Sequence, residues 1–245
     1  ACESGSMFPK LRADQNVYAV TAANATQSSY AAYCSPEDTV NGVSIGSCLG
    51  DEFSVNWMQD TESNNPYIET LKAQTNIVRE RTIGSQVQNF GDNDFVDEPL
   101  ANFEGNNDNM TELQKYISYA YLNPNDYLFA PQTSKSLVDS RDVKMHYLYK
   151  RVEKNGDMNA HQELMTELES RMGADNLFKE LFPHHAEANE LTVIPENFEC
   201  LRFLMGVHDL HCGRFDDYSL KYVKHLVHAC ETEAPEMMGT YANLI

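Results

Sequence analysis

Hydrophobic and small residues first cluster in a short run near the start of the chain. Residues 16–23, NVYAVTAA, are β-branched or small and are bounded by polar turn formers, which predicts a strand buried on both faces of a parallel sheet. From Pro66 to Arg81 apolar residues recur at helical spacing, and residues 85–90, SQVQNF, alternate as in a strand. The first part of the chain is therefore predicted to be α/β.

The second part of the chain has a different pattern. Residues 91–111 are crowded with Asn, Asp and Gly, a composition typical of a loop or linker. After Ser134 long segments of helical period follow, with Gly173 expected to interrupt the second of them. The segments cover about 139–154, 157–181, 197–212 and 216–231, and the residues near their starts include Asp142, Asp157 and Asp216. This half is predicted to be all helical.

Charge excludes some classes of partner. The 245 residues contain 18 Lys and Arg against 37 Asp and Glu, a net charge of −19, with 42% hydrophobic residues. Such a chain can bury a core but would repel nucleic acid phosphates and anionic lipid surfaces. Because no run reaches the roughly 18 apolar residues of a membrane-spanning helix, neither nucleic acid nor membrane is expected as a partner.

The chain begins at Ala1 without a methionine or a signal sequence, and we expect it to be a fragment of a longer protein. Six cysteines, at positions 2, 34, 48, 200, 212 and 230, contain no CxxC pair, which favours scattered disulfides and a reactive thiol over a metal cage. Two glycosylation sequons, at Asn24 and Asn109, agree with a secretory route. An oxidising or endolysosomal compartment is expected.

The start of the chain, ACESGSM, contains the densest chemical signal. Cys2 is followed by an acid and by Ser-Gly-Ser, small residues suited to a tight turn that exposes a thiol and its backbone amide together. A cysteine nucleophile acts as a thiolate, and its own amide can donate to an oxyanion. Taken alone, the same residues also fit an ordinary buried or bridged cysteine.

Several motifs together resemble one family. Residues 1–7 are followed by NVYAVTAAN at 16–24, SSYA at 28–31 and LGDEFSVNWM at 49–58. In order and spacing these segments are similar to the legumain family, above all to the plant vacuolar processing enzymes, which also have a cysteine pair around the loop that spans 34–48 here. The resemblance weakens afterwards and resumes at Arg141-Asp142 and over residues 199–213.

The resemblance implies the C-terminal portion of a caspase-like α/β peptidase domain over residues 1–98. A linker at 99–133 and an all-α helical pro-domain at 134–245, truncated at its C-terminus, would follow. Cys2 would be the nucleophile, and no cofactor or metal is expected. The general base of the family is a histidine, whereas all eight histidines here lie at position 146 or later. The catalytic histidine is therefore expected upstream of Ala1, and this chain alone is expected to be inactive.

The resemblance also implies cleavage of proteins and peptides after asparagine and, at lower pH, aspartate, in a vacuole or lysosome or outside the cell. Asp51 matches the acceptor for the asparagine side chain, since a pocket that hydrogen-bonds both ends of an amide rejects isosteres. Asp51 could equally cap a helix over 52–60, and both roles can coexist. Ser28, Ser29 and Tyr30 would line the cleft and pair with the substrate backbone.

The remaining assignments concern activation. Cys34 and Cys48 bracket a loop, and the resemblance pairs Cys200 with Cys230, which leaves Cys2 and Cys212 as thiols. The pro-domain would inhibit the peptidase intramolecularly. Glu3 could tune the thiolate or contact the pro-domain, although a solvated turn acid fits as well. Self-cleavage is predicted after Asn125, with Asn106, Asn107 and Asn109 as rival sites.

Two other classes of function remain open at this stage. A fragment without its histidine could act as a non-catalytic interaction or inhibitory module. Alternatively, the helical half could bind zinc, because helical spacing would bring two groups of candidate ligands onto one face. These groups are His208, His211 and Cys212, and His225, His228 and Cys230.

Overall fold

The computed structural model describes residues 1–105, 136–156, 158–184 and 193–233, together with residues 239 and 241. The chain forms two compact units, Ala1–Ser140 and Arg141–Ile245. Residues 136–140 therefore belong to the first unit, six residues beyond the predicted start of the helical domain at 134. Among the described residues, no helix has the length and apolar character required to span a bilayer.

The strands of the first unit form small antiparallel sheets. The strands are β1 (Tyr18–Thr21), β2 (Tyr30–Ala32), β3 (Thr39–Val40), β4 (Val43–Ser44), β5 (Gly50–Asp51), β6 (Gln88–Gly91) and β7 (Val138–Asp139). A three-stranded sheet has the order β5–β2–β7, and two-stranded sheets pair β1 with β6 and β3 with β4. The disulfide between Cys34 and Cys48 closes the hairpin β3–β4.

The prediction for β1 was wrong in its partners and burial. Within the described residues β1 pairs only with β6, antiparallel, with Tyr18 opposite Gly91 and Thr21 opposite Gln88. Only Thr21 of its four residues is buried, and the other three are partly exposed. A run of small and β-branched residues indicates a strand but does not indicate which strand pairs with it.

Three α-helices accompany these strands in the described residues of the first unit. They are α1 (Glu52–Ser63), α2 (Leu71–Arg81) and the short α3 (Ala101–Glu104). α1 and α2 begin with side-chain caps, since Asp51 accepts a hydrogen bond from the Ser54 amide and Thr70 accepts one from the Ala73 amide. β5 runs directly into α1, so the end of this strand and the start of this helix occupy one place in the fold.

A pair of carboxyl groups lies where α1 faces α2. Asp60 is fully buried, and its Oδ1 accepts a hydrogen bond from Asn64 Nδ2 at 2.9 Å and lies 3.4 Å from Nη1 of Arg81. Asp60 Oδ2 and Glu69 Oε2 are buried without a donor among the described residues. Burial, then the charge of Asp60 and the hydrogen bond with it, raise the pKa of Glu69 to about 8. A proton held between the two carboxyl groups satisfies both buried oxygens.

The second unit is helical, with α4 (Val143–Asn155), α5 (Met158–Leu181), α6 (Phe198–His211) and α7 (Val223–Thr232). α5 runs through Gly173 without a break, so the predicted interruption was wrong: one helix-interior glycine is disfavoured by only about 1 kcal/mol, less than packing of the helix supplies. Phe178, Leu204 and Leu226 are fully buried in the core. The disulfide between Cys200 and Cys230 joins α6 to α7.

An ion network joins the start of α4 to α5. Arg171 is buried and donates to Glu167 at 2.9 Å and to Asp142 at 2.5 Å. Lys144 adds a fourth charge by contacting Glu167 at 2.6 Å. Asp142, predicted to start a helix, makes no side-chain cap bond and binds Arg171 instead. This network holds together residues that the hydrophobic pattern does not connect.

Candidate active site

The first seven residues form a tight turn that carries Cys2. Glu3 has a left-handed backbone, with φ of 51°, and its amide donates to the carbonyl of Gln27 at 2.7 Å. The Gly5 amide donates to the carbonyl of Ala23 at 3.0 Å. A Cβ atom on Gly5 would lie 2.9 Å from the backbone nitrogen of Ala25. The backbone of the turn therefore packs against the backbone of residues 23–27, which follow β1. The small residues of ACESGSM permit this approach.

The Cys2 thiol lies beside the hydroxyl of Ser29, which in turn contacts a second serine hydroxyl. The Cys2 Sγ atom is half-buried and 3.8 Å from the Ser29 Oγ atom, and Ser29 Oγ is 3.1 Å from the Ser140 Oγ atom. Ser29 is buried, with 1% of its surface exposed. The structure therefore brings together Cys2 and Ser29, two residues singled out in the sequence. Ser140 was missed, because nothing in the sequence connects it with a serine 111 positions earlier.

The strand that begins at Tyr30 has neighbours on both edges. Ala31 and Ala32 pair with Asp51 and Gly50 on one side. On the other side Tyr30 and Ala31 pair with Asp139 and Val138, and the Ser140 amide donates to the Ser29 carbonyl at 3.0 Å. The edge that could hold an extended peptide is thus occupied by residues 138–140 of the chain itself.

A cavity of about 420 Å³ opens beside the Cys2 turn. It is lined by residues of this turn, by β1, and by the side chains of Ser29, Asp51 and Ser140. Asp51 Oδ1 accepts hydrogen bonds from the Ser54 amide at 3.1 Å and the Ser54 hydroxyl at 3.4 Å. Asp51 therefore is a helix cap and also lines the cavity, so its two predicted roles are compatible. Ser28 and Tyr30 are not among the residues that line this cavity.

Glu52, the residue after Asp51, holds the loop at 83–84 in place, and the sequence did not indicate this role. Its carboxylate is buried and accepts the amides of Ile83 and Gly84 at 2.9 and 3.0 Å. A Cβ atom on Gly84 would lie 2.8 Å from the Tyr30 ring, so these two bonds hold the loop against β2. An acid at the first position of a helix is ordinarily explained by its favourable interaction with the helix dipole. The sequence therefore gives no reason to expect that Glu52 binds the distant loop at 83–84.

The predicted cleavage and glycosylation sites lie partly outside the described residues. Asn125 and Asn109 lie outside the described residues. The Asn24 side chain accepts from the amides of Thr26 and Gln27 and donates to Gln86 at 3.0 Å, and its glycosylation remains a prediction. The first unit contains no histidine in its sequence.

Three observations bear on the zinc hypothesis. In the parts of the chain that the structure describes, no group of three or more His, Cys, Asp or Glu residues is arranged to hold a metal ion. One candidate ligand, Cys230, is in the disulfide with Cys200. His208 stacks on Phe215 at 3.9 Å, and burial lowers its pKa. This histidine therefore packs as part of the aromatic core.

Comparison with known sequences agrees with this geometry. The sequence model of the Peptidase C13 family matches residues 1–106. The chain is 30% identical to the vacuolar-processing enzyme delta-isozyme of Arabidopsis thaliana over 94% of its own length and 52% of that protein. It is 30% identical to beta-isozyme 1 of Oryza sativa subsp. indica, over 96% of the chain and 50% of the relative.

The chain thus spans about half the length of the curated relatives it matches. The matched region contains the Cys2 turn, the strand after Ser29 and Asp51, while the similarity to vacuolar-processing enzymes extends over both units. Residues 1–106 of this chain therefore match the Peptidase C13 family.

Proposed function

We propose that this chain supplies the nucleophile of a legumain-type cysteine endopeptidase that cleaves after asparagine. The observation that carries the proposal is the cavity that Asp51 lines together with Ala1 and Ser4, the neighbours of the half-buried Cys2 in its turn. In the reaction, the Cys2 thiolate attacks the scissile carbonyl, and the Cys2 amide donates to the oxygen that becomes negative. Because the first unit contains no histidine, the general base comes from a residue outside that unit.

The acidic side chain provides the selectivity. Ionised Asp51 accepts a hydrogen bond from the side-chain NH₂ group of a substrate asparagine. An ionised aspartate at the same position is repelled, whereas a protonated aspartic acid can donate as the amide does. The enzyme therefore cleaves after asparagine over a broad pH range and after aspartate only in acid. Cleavage after both residues in acid agrees with action in a vacuole or lysosome, and the relatives are named vacuolar-processing enzymes.

Self-inhibition follows from the occupied edge of the cleft strand. Residues 138–139 make the backbone pairing that an extended substrate would make. A substrate therefore has to displace this segment, which connects to the helical unit. In this proposal the helical unit is the pro-domain, and cleavage after Asn125 weakens the attachment of residues 136–140. Glu3, in the turn with Cys2, remains the proposed contact for a basic group of the pro-domain.

The test joins the chain to an amino-terminal segment that carries a histidine base and measures cleavage of peptides with asparagine, aspartate or glutamine before the scissile bond. We expect asparagine-specific cleavage, loss of it in Cys2→Ser, and weaker discrimination against ionised aspartate in Asp51→Asn, which retains a helix cap. Full activity in Cys2→Ser would refute the assignment of the nucleophile. Unchanged selectivity in Asp51→Asn would refute the assignment of the pocket.

A further inference from the structure

The hydroxyl of Ser29 is placed where it can act on the nucleophile. It is buried, it lies 3.8 Å from Cys2 Sγ, and its other neighbour is the Ser140 hydroxyl at 3.1 Å. A serine hydroxyl carries one proton and can donate it to one acceptor at a time. A hydrogen bond donated to the charged form of a group stabilises that form. The Ser29 proton can therefore stabilise a Cys2 thiolate only while it is not given to Ser140.

Ser140 belongs to the segment that occupies the cleft. It follows β7 directly, and its amide donates to the Ser29 carbonyl at 3.0 Å. Both the main chain and the side chain of Ser29 are thus bound by one residue of this segment. The hydroxyl oxygen of Ser29 lies closer to Ser140 than to the sulfur. When the segment leaves the cleft, this competing partner leaves with it.

We propose that Ser29 is a positioning residue that holds the Cys2 thiolate by donating its hydroxyl hydrogen bond, and that Ser140 withholds this bond while residues 138–140 occupy the cleft. The occupied cleft then has two effects. β7 blocks the edge on which substrate would pair, and Ser140 keeps the nucleophile in its less reactive form. This inference rests on the proposed function, because it assigns a role to a residue beside the proposed nucleophile.

The test measures alkylation of Cys2 by iodoacetamide in the 245-residue chain, with the modified cysteine identified by mass spectrometry. This reaction needs no histidine and no substrate, so it reports the thiolate directly. Cys212 is a free, exposed cysteine in the other unit, and its alkylation rate is the internal reference. Glu3 and Asp51, the charged groups of the same turn and cavity, are unchanged in every variant, so they do not alter the comparison.

In the Ser140→Ala background, where the competing partner is gone, adding Ser29→Ala is expected to slow alkylation of Cys2 relative to Cys212 about tenfold at mildly acidic pH and to move the midpoint of the pH–rate profile up by about one unit. Removing a buried hydroxyl does not reduce access of the reagent, so a slower reaction reflects the lost hydrogen bond. Ser63→Ala is the matched control, because this hydroxyl donates to the Gln59 carbonyl of its own helix, and its rates should match wild type.

Ser140→Ala separates withholding of the bond from blocking of access. It is expected to accelerate alkylation of Cys2 several-fold in the wild-type background and to have no effect in Ser29→Ala, since its action passes through that hydroxyl. Equal acceleration in both backgrounds would show that Ser140 only restricts access and would overturn the withholding role. An unchanged Cys2 rate when Ser29→Ala is added to Ser140→Ala would overturn the positioning role.

These outcomes can be told apart from failure of the proposed function. If Cys2→Ser retains peptidase activity in the restored enzyme, Cys2 is not the nucleophile, whatever the alkylation rates show. If Cys2→Ser is inactive but adding Ser29→Ala to Ser140→Ala leaves the alkylation rate unchanged, the function stands and the role of Ser29 is wrong. Thermal unfolding of each variant, compared with wild type, identifies any loss of folding, and Ser140→Ala provides a test independent of the fold of Ser29→Ala.

Discussion

Replacing Glu69 by glutamine removes one titrating group from the buried carboxyl pair between α1 and α2. In the wild type the pair holds a proton that two isolated carboxyl groups would have lost, and Arg81 and Glu104 are the other charged groups that act on it. Glutamine has nearly the same shape and offers Asp60 a permanent N–H donor. The variant therefore keeps the hydrogen bond without needing the proton.

The size of the effect follows from proton linkage. Burial and the neighbouring Asp60 raise the pKa of Glu69 from 4.5 to about 8 in the folded state. Between these values the folded protein holds a proton that the unfolded chain has released, so stability is greatest below the window and falls as the pH rises to 8. At about 1.4 kcal/mol per pH unit the upper bound is roughly 5 kcal/mol. Because Glu69 is partly exposed, we expect a loss of about 2 kcal/mol.

The assay is thermal unfolding followed by tryptophan fluorescence at pH 5, 6, 7 and 8. Trp57 is the only tryptophan and lies on α1, so the signal reports the unit that contains the pair. A loss of 2 kcal/mol corresponds to a fall in Tm of about 4–8 °C for a protein of this size. Glu69→Gln should not show this fall in Tm, so the difference between its Tm and that of the wild type should grow from pH 5 to pH 8.

The matched control is Glu80→Gln, an exposed residue of α2, which should show the pH dependence of the wild type. If the Tm curves of the wild type and Glu69→Gln run parallel from pH 5 to pH 8, Glu69 does not retain its proton in this range. The linkage argument would then be refuted.

Three further predictions concern single contacts. Gly5→Ala should lower the free energy of unfolding by about 1–3 kcal/mol, measured by urea titration, because its Cβ would lie 2.9 Å from the Ala25 nitrogen; an unchanged midpoint would contradict this packing. Glu167→Gln should destabilise the helical unit by about 1–3 kcal/mol in far-UV circular dichroism melts, since buried Arg171 loses an anionic acceptor, and the loss should shrink in acid if Glu167 ionisation is its source. Cys200→Ser should cost about 3 kcal/mol through loss of its disulfide, and reductant should then have no further effect on that unit.

Local features of the sequence predicted much of the first unit. Asp51 precedes an apolar-periodic segment, which is the pattern of a capped helix, and the structure has this helix from Glu52 with the expected cap bond. The two disulfides of the structure join the expected cysteines. These features depend on residues close in sequence or on a family resemblance that covers them.

Features that depend on distant partners could not be predicted. The pairing of β2 with residues 138–139 joins positions about 108 apart in the chain, and no periodicity specifies it. The same holds for Ser140 beside Ser29 and for Glu52 beneath the loop at 83–84. Serine and glutamate are common on surfaces, so only a structure distinguishes the buried members that shape a site.

The double use of Asp51 restricts how such an enzyme can change its preference. One carboxylate caps α1 and, in the proposed function, receives the substrate side chain. A hydrophobic or basic replacement would alter the pocket and also remove the cap, at about 1 kcal/mol. Asparagine, serine and threonine are the replacements that retain a capping oxygen. Substrate preference at this position can therefore diverge freely only among small polar residues, and any wider change requires added stability elsewhere in the fold.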